Sequence, residues 1–565
     1  MSWIFGYFGN RDRLQISSPE THLHTFQNSN LILYAGGNSE TIFFKSDSLK
    51  SNCWAVAGVG LIHSGEEYKI LNADDWDNFL SLRQVDPQKI NGHFVAVKYS
   101  ADELKIFSDE LGLREIYIVK LPEGFGFTTR IDWLKYFINP EIDLMEFGSR
   151  WLLQNQVSRN SIFKNVKRLI CANAALKNGN LTINENPWQP DLHVTGNREM
   201  FGTTLKKLLS INERKISLSL SGGLDSRLLL SCLANKNSGL WETHTFGDPN
   251  HPDSKISSQL LSSLNLKNKI VDDVLPANDK LIELIKTYAV QSTITNPVSS
   301  ILNLRFYERL AKQNKLIIDG GFGEIWRREF ANRLLLFGRK ALLEKDSKKI
   351  YSLLKHYKAD IFSEDVQNEM ERGAIEQINN LLEEMPDVAE IGSAKWIDLF
   401  SISSRLTNYY SPEQARIDQY VLSFMPLVQK DILQLLFGLN DVEKKNGKLF
   451  KELIKQNSIQ LMKHPLVKGN IEHPFNSSSL GARIHSRVKN KLGLSYRSKQ
   501  QIEFLNSLRE FIVDVIQSSE VRNYEYYDRK KLNKIASDFS SKENDYNSEI
   551  DWFLSMELFR QGISK

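Results

Sequence analysis

The segment Ser221-Gly222-Gly223-Leu224-Asp225-Ser226 lies between a short apolar strand pattern, Ile216–Leu220, and an apolar helix pattern beginning at about Asp225. Two adjacent glycines let the backbone turn tightly and bring its N–H groups against an anion. The helix start adds its positive dipole end. The hydroxyls of Ser221 and Ser226 are further donors to phosphate oxygens, and Asp225 is an acid suited to holding Mg²⁺ beside a leaving group. A Walker loop, G-x-x-x-x-G-K-[ST], grips the β- and γ-phosphates for γ-transfer, and the sequence contains no match to it. An acid with two flanking serines, without that lysine, suits holding pyrophosphate while an α-phosphate is attacked. The bland alternative is an ordinary strand-to-helix turn, and the order of strand, glycines, acid and helix speaks against it.

The elements around this loop fall into three stretches. The first ~190 residues read as mostly β. Runs at Trp3–Phe8, Leu31–Tyr34, Trp54–Ile62, His93–Tyr99 and Glu115–Val119 are rich in β-branched and aromatic residues and are punctuated by Gly, Asn and Asp. From about Asn197 helices alternate with short apolar strands. The predicted series is helix Arg198–Leu209, strand Ile216–Leu220, a helix after Ser226, strand His244–Phe246, helix Pro252–Leu264 and strand Lys269–Asp272. That alternation marks a parallel sheet wrapped by helices. Beyond Ile318 the chain reads as almost wholly helical and highly charged.

Bulk properties bound the function. At 565 residues two or three domains are expected. The 72 basic residues against 68 acidic ones give a net charge of +4, which speaks against a nucleic-acid coat or a membrane-surface protein. Cys53, Cys171 and Cys232 are scattered, and their spacing suggests neither a disulfide framework nor a zinc site. The N-terminal apolar run is too brief for a signal peptide, and no apolar stretch is long enough to span a bilayer. A cytoplasmic location is the expectation.

SGGLDS resembles the pyrophosphate loop of the ATP-pyrophosphatase superfamily, and the surrounding sequence resembles its asparagine synthetase family, which includes β-lactam synthetases and lasso-peptide cyclases. THTFGDPNHPDS (243–254) resembles that family's second nucleotide-binding strand and Pro-Asp turn. The stretch 285–324, ending in IIDGGFGE, resembles the long helix leading to its third glycine-rich loop. SIFKNVKRL (161–169) with the following PWQP resembles the junction between its two domains. The resemblance implies an α+β N-terminal domain over 1–190 of the Ntn-hydrolase, class II glutamine amidotransferase type. An α/β parallel-sheet ATP-pyrophosphatase domain (adenine nucleotide alpha hydrolase-like) with a helical C-terminal part would follow over 195–565.

The same resemblance assigns roles. ATP and Mg²⁺ are the implied cofactors. Leu220 and Phe246 would line the adenine and ribose site, with Asp319 and Gly320 on its other side. Ser221, Gly222, Gly223 and Ser226 would hold pyrophosphate, and Asp225 would be the first Mg²⁺ ligand. Glu324 takes the second metal position in one register of Asp319–Ile325, whereas Ile325 falls there in the next. Gly321 or Phe322 stands where the family places a Glu or Tyr beside the acceptor carboxylate, so plain aspartate is not the expected substrate. The cation that stabilises the transition state would be Lys468 from KHPLVKGNIEHPF, with Lys463 as the reserve.

The N-terminal domain of the family opens Met-Cys-Gly-Ile-Phe-Gly, and this chain opens Met1-Ser2-Trp3-Ile4-Phe5-Gly6. The thiolate that attacks glutamine is replaced by a hydroxyl, which needs a dedicated base. The family's Arg-Gly-Pro-Asp loop is also missing between residues 10 and 60. The domain therefore reads as structural, with a Ser2 nucleophile as the alternative. The implied reaction is AMP-forming amide ligation between a small-molecule or peptide carboxylate and ammonia or an amine. A glutamine-hydrolysing asparagine synthetase and a non-catalytic binding subunit remain alternatives, and a homodimer is compatible with either. Between Lys463 and Lys499 the only acid is Glu472, against Lys463, Lys468, Arg483, Arg487, Lys489, Lys491, Arg497 and Lys499. That stretch is either a solvated helix or a docking patch for an acidic or phosphate-bearing substrate. Only Phe475 and Tyr496 are aromatic there, which argues against nucleic acid.

Overall fold

The computed structural model describes residues 2–10, 18–64, 67–82, 85–211, 214–271, 275–327, 330–492, 499–541 and 547–564. Its N-terminal part contains strands β1 (Trp3–Gly9), β2 (His24–Gln27), β3 (Leu31–Gly36), β4 (Ile42–Ser46), β5 (Cys53–Ser64) and β6 (Glu67–Ile70). These are followed by β7 (Asn91–Ser100), β8 (Glu103–Ser108), β9 (Ile116–Leu121), β10 (Gly124–Thr128), β11 (Val166–Leu169), β12 (Ala172–Lys177) and β13 (Asn180–Glu185). They form two antiparallel sheets, ordered β11-β9-β10-β1-β3-β2 and β13-β12-β8-β7-β5-β4, with β6 paired to β5. Alternation along the strands builds the core between them. Ile4, Phe8, Leu31 and Leu33 of one sheet meet Ala55, Val95, Val97 and Ile106 of the other. On the outer face of the second sheet, helix α1 (Ala73–Ser81) is started by an Asn72 capping box and buries Trp76 and Leu80 against Val56 and Phe94. Helix α2 (Leu144–Leu152) packs Phe147 and Trp151 with Tyr117 and Val119 of the first sheet.

The C-terminal part is built on a parallel sheet of β14 (Ile216–Ser219), β15 (Trp241–Phe246), β16 (Lys269–Val271), β17 (Leu316–Ile318) and β18 (Leu422–Phe424). Its order is β16-β15-β14-β17-β18, every pair parallel. Strands buried on both faces read as continuous apolar runs, as Leu316–Ile318 does. Helices α3 (Arg198–Leu208), α4 (Leu224–Leu233) and α5 (Pro252–Ser263) share one core with Ile216, Leu218, Leu316 and Ile318. Helices α6 (Asn278–Ser292) and α7 (Ile301–Ala311) share the other with Ile317 and Val271. The chain is therefore a mixed α/β molecule with one parallel and two large antiparallel sheets. Among the described residues no helix is long and apolar enough to cross a membrane.

Three expectations need correction. The region beyond Ile318 is largely helical as read, but the reading missed three short strands: β18, which completes the parallel sheet, and a hairpin of β19 (Leu466–Lys468) and β20 (Ile471–His473). Three-residue strands carry too few residues for their period to be told from a helical turn. The stretch from residue 285 is not one long helix. It breaks at Thr293 and Ile294, both with positive φ, just before Pro297, whose ring disfavours a helical residue ahead of it. The strand before the second turn begins at Trp241 rather than His244, and Asp272, expected to end the next strand, lies outside the described residues.

A buried polar joint ties the two parts together. Asp418, fully buried, accepts from His93 Nε2 at 3.0 Å and Gln414 Nε2 at 3.1 Å, and lies 3.6 Å from the Arg114 guanidinium. Burial pushes its carboxyl pKa up, but the His93, Arg114 and Gln414 partners outweigh that and leave it below the usual value. Its backbone carbonyl accepts from Thr41 Oγ1 and Asn38 Nδ2. Asp418→Asn keeps the shape and those backbone contacts but removes the buried charge that lies 3.6 Å from Arg114, leaving Asp109 and Glu115 as its acidic neighbours. The expected loss is about 3–5 kcal/mol of unfolding free energy, read by urea denaturation at neutral pH.

Candidate active site at the parallel-sheet switch point

The strand order reverses between β14 and β17, so their C-terminal ends splay apart and leave the crevice in which open α/β sheets bind ligands. The loops leaving those two ends are Ser221–Ser226 and Asp319–Glu324. They touch. A Cβ on Gly320 would come 3.0 Å from the Ser226 nitrogen, and one on Gly323 would come 2.1 Å from Asp225 Cγ. Glycine is required at 323 by this approach rather than by an unusual φ.

The first loop is braced from within. Ser221 Oγ and Ser226 Oγ are 3.0 Å apart, Gly223 N donates to Ser221 Oγ, and Gly222 N donates to Asp253 Oδ1 at 2.7 Å. Leu220, buried at the end of β14, donates its N–H to the His244 carbonyl and accepts from Thr245 Oγ1. Asp225 stands in the first turn of α4, where both its oxygens accept from Arg327, at 2.9 and 2.8 Å. In the second loop Asp319 accepts from Gly321 N, and burial raises its carboxyl pKa, opposed by that bond and by Ser219. Phe322 takes a left-handed conformation at φ 72° and donates its N–H to Tyr410 Oη. That hydroxyl in turn donates to Glu324, which also accepts from Arg405 Nε; both distances are 2.9 Å. Burial, with the Glu324 charge beside it, holds the Tyr410 hydroxyl pKa well above its ordinary value, so it stays a donor. Arg405 and Tyr410 belong to Ile402–Tyr410, a π-helical segment of a kind frequent at functional sites.

Lys468 reaches the first loop through Arg227, which follows that loop directly in sequence. Arg227 is fully buried and donates to the carbonyls of Gly222, Leu461, His464 and Pro465. Val467 N donates to Gly222 O and continues the attachment. The β19–β20 hairpin is thereby fixed over the loop. A cavity of about 110 Å³ results, lined by Gly223, Leu224, Arg327, Lys451, Lys468 and His473 among others. Lys463 does not line it. Phe246 ends β15 stacked on Phe306, ring centroids 4.8 Å apart. Among the described residues, a larger cavity of about 620 Å³ between Phe8 and Gly179 at the N-terminal sheets has only Asp102 and Glu123 as ionisable lining groups.

The expected site residues Leu220, Ser221, Gly222, Gly223, Asp225, Ser226, Asp319, Gly320, Glu324 and Lys468 thus gather around one crevice. Sequence reasoning missed Arg227, Asp253, Arg327, Arg405 and Tyr410. Arg227 had a signal, its position at the end of the loop motif. Arg405 and Tyr410 had none, since tertiary folding alone brings them to Glu324.

Mg²⁺ is commonly held by one or two carboxylates together with substrate phosphates. Asp225, an anion in a helix first turn beside the glycine loop, fits that role by its chemistry, and Arg327 occupies both its oxygens. Glu324 is similarly engaged by Arg405. Among the described residues no three His, Cys, Asp or Glu side chains cluster to form a metal site by themselves. An ion here would therefore need oxygens from a bound phosphate.

Ser2, where the resemblance implies a missing nucleophile, is fully buried. Its hydroxyl pairs with Thr41 Oγ1 and Asn38 O, and its carbonyl accepts from Arg114.

Set against protein-family models and against curated proteins, the sequence finds no match in either.

His244 lies under the crevice in β15, fully buried, with Nδ1 2.8 Å from Ser217 Oγ and Nε2 without a hydrogen-bond partner among the described residues. Burial, chiefly, pushes its pKa down to about 3. A depressed folded-state value means that stability is present above the ordinary histidine range and is lost as pH falls, because only the unfolded chain takes up the proton. Between pH 7 and pH 5 the His244→Gln protein should lose roughly 2 kcal/mol less stability than wild type, measured by urea denaturation at both pH values.

Proposed function

We propose that this chain is an AMP-forming amide ligase of the asparagine-synthetase type, carrying an amidotransferase-like N-terminal part that does not hydrolyse glutamine. The observation that carries the reading is the meeting of SGGLDS and DGGFGE at the sheet's switch point, with Lys468 fixed beside them. In the proposed reaction a substrate carboxylate oxygen attacks the α-phosphorus of ATP and the bond to the β-phosphate breaks. A nitrogen nucleophile then attacks the acyl carbon, and AMP leaves with the bonding electrons. The N–H groups of the Ser221–Ser226 loop and the start of α4 would orient the pyrophosphate. Lys468 would offset the charge that builds on the α-phosphate. Bound Mg²⁺ would supply neutralisation of the departing pyrophosphate, with Asp225 and Glu324 as its protein ligands. The layering of helix, two sheets and helices in the N-terminal part supports an Ntn-hydrolase-like fold, and the parallel sheet supports an ATP-pyrophosphatase fold.

The Ser2 hydroxyl bonds to a hydroxyl and a carbonyl, with no side-chain base among its partners in the described residues, which supports a structural role for that part. Ammonia or an amine of the substrate would then be the nitrogen source. A non-catalytic nucleotide-binding subunit is the second reading, favoured by the two guanidinium pairs that engage Asp225 and Glu324.

Pyrophosphate release from ATP, followed over a panel of carboxylic acids, tests the proposal. Asp225→Ala should reduce the rate at least about a hundredfold, and equal rates in both proteins would overturn it. Gly323→Ala provides an independent check through the loop contact. Its methyl must displace the Asp225 carboxylate, so release should fall by a comparable factor while the unfolding free energy drops by about 1–3 kcal/mol.

A further inference from the structure

The cavity beside Lys468 does not end at the hairpin. Asn446 and Lys451 line both it and an open groove of about 580 Å³ that runs outward along the helix Lys448–Asn457. Lys445, Lys448, Lys451 and Lys455 border this groove, and Val442 and Met462 contribute apolar surface. On the helix, 448, 451 and 455 share one face, at steps of about 4.5 and 6 Å along the axis. The one acid in the lining, Glu452, is drawn to Arg198 at 3.8 Å. Lys448 pairs with Glu443, whereas Lys445 and Lys455 project into solvent. Val442 is 60% exposed beside this row of lysines.

A groove bordered by four lysines and two apolar side chains fits a chain carrying both carboxylates and apolar side chains. It suits a nucleic acid poorly. None of the described residues bordering it is aromatic, so among them bases have nothing to stack on, and none is arginine, so phosphates meet no planar fork there. In an extended peptide alternate side chains face opposite ways, so acidic residues can meet the lysines while apolar ones meet Val442 and Met462.

We propose that this groove is a docking subsite for an extended, acidic peptide segment. Resting on the ligase reading, the segment would belong to the substrate whose carboxylate enters the Lys468 cavity, so the substrate would be a peptide rather than a free small acid.

The probe is a fluorescein-labelled peptide of alternating glutamate and leucine, titrated with full-length protein and followed by anisotropy. Wild type should bind it saturably, more weakly as salt rises. The surface variant K445E/K448E/K455E should bind at least about tenfold more weakly. A lysine–leucine peptide should not compete. Absence of saturable binding to wild type, equal binding by both proteins, or preferential binding of oligothymidylate to the same groove would overturn the proposal. Pyrophosphate release by wild type and Asp225→Ala is measured on the same preparations. Groove-dependent peptide binding without Asp225-dependent release removes the ligase reading alone. Asp225-dependent release without groove-dependent binding removes the docking subsite alone.

Discussion

Arg227 donates its guanidinium to the carbonyls of Gly222, Leu461, His464 and Pro465 from a fully buried position, and it has no carboxylate among those partners. Burial alone pulls its pKa down to about 9, still high enough for it to be charged at neutral pH. A buried cation is costly unless its donors are satisfied. The path of the hairpin-bearing segment brings the carbonyls of Leu461, His464 and Pro465 to one point, where with Gly222 O they satisfy both terminal nitrogens, while Nε has no hydrogen-bond partner among the described residues. The charge therefore enforces a geometry. Together with the Val467 N–H bond to Gly222 O, that convergence holds β19 over Gly222 and keeps Lys468 beside the loop.

The second support comes from the far side of the crevice. Glu324 is held by Arg405 and Tyr410 from the π-helical segment, and the same segment is tied to the N-terminal part, since Arg168 donates to Asn408 Oδ1 and to the Thr407 carbonyl. Eight residues beyond the segment, Asp418 receives His93 and Arg114. One stretch of chain thus contacts both the Asp319–Glu324 loop and the strands around Ser2. Through that stretch the N-terminal sheets help to fix the position of Glu324.

How far the sequence alone reached follows from what each feature rests on. The Ser221–Ser226 loop was legible because its chemistry is local: glycines, acid and serines in one short run, between an apolar strand and an apolar helix. The elements β14, β15 and α3 to α5 were legible for the same reason, by period and length. β18 was not, since a three-residue strand becomes a strand only by pairing with β17. The break before Pro297 had a signal in the proline that the apolar pattern on either side concealed. Arg405 and Tyr410 lie some eighty residues past Glu324 with no pattern linking them, so only the folded chain reveals that pairing.

The two guanidinium pairs at the crevice bear on its electrostatics. Asp225 and Glu324 are anions on adjoining loops, and with Asp319 close by, bare carboxylates there would repel one another. Arg327 and Arg405 cancel that repulsion, which lets Gly323 pack its backbone directly against Asp225. The two cations are not equivalent. Arg405 is nearly buried, stacks 4.3 Å from the Tyr409 ring centroid and belongs to the interdomain stretch, so it is a fixed part of the wall. Arg327 follows a four-residue helix, α8 (Gly323–Trp326), and lines the cavity itself while it pairs with Asp225. An arginine suits both positions, because its planar fork binds carboxylate and phosphate with the same geometry.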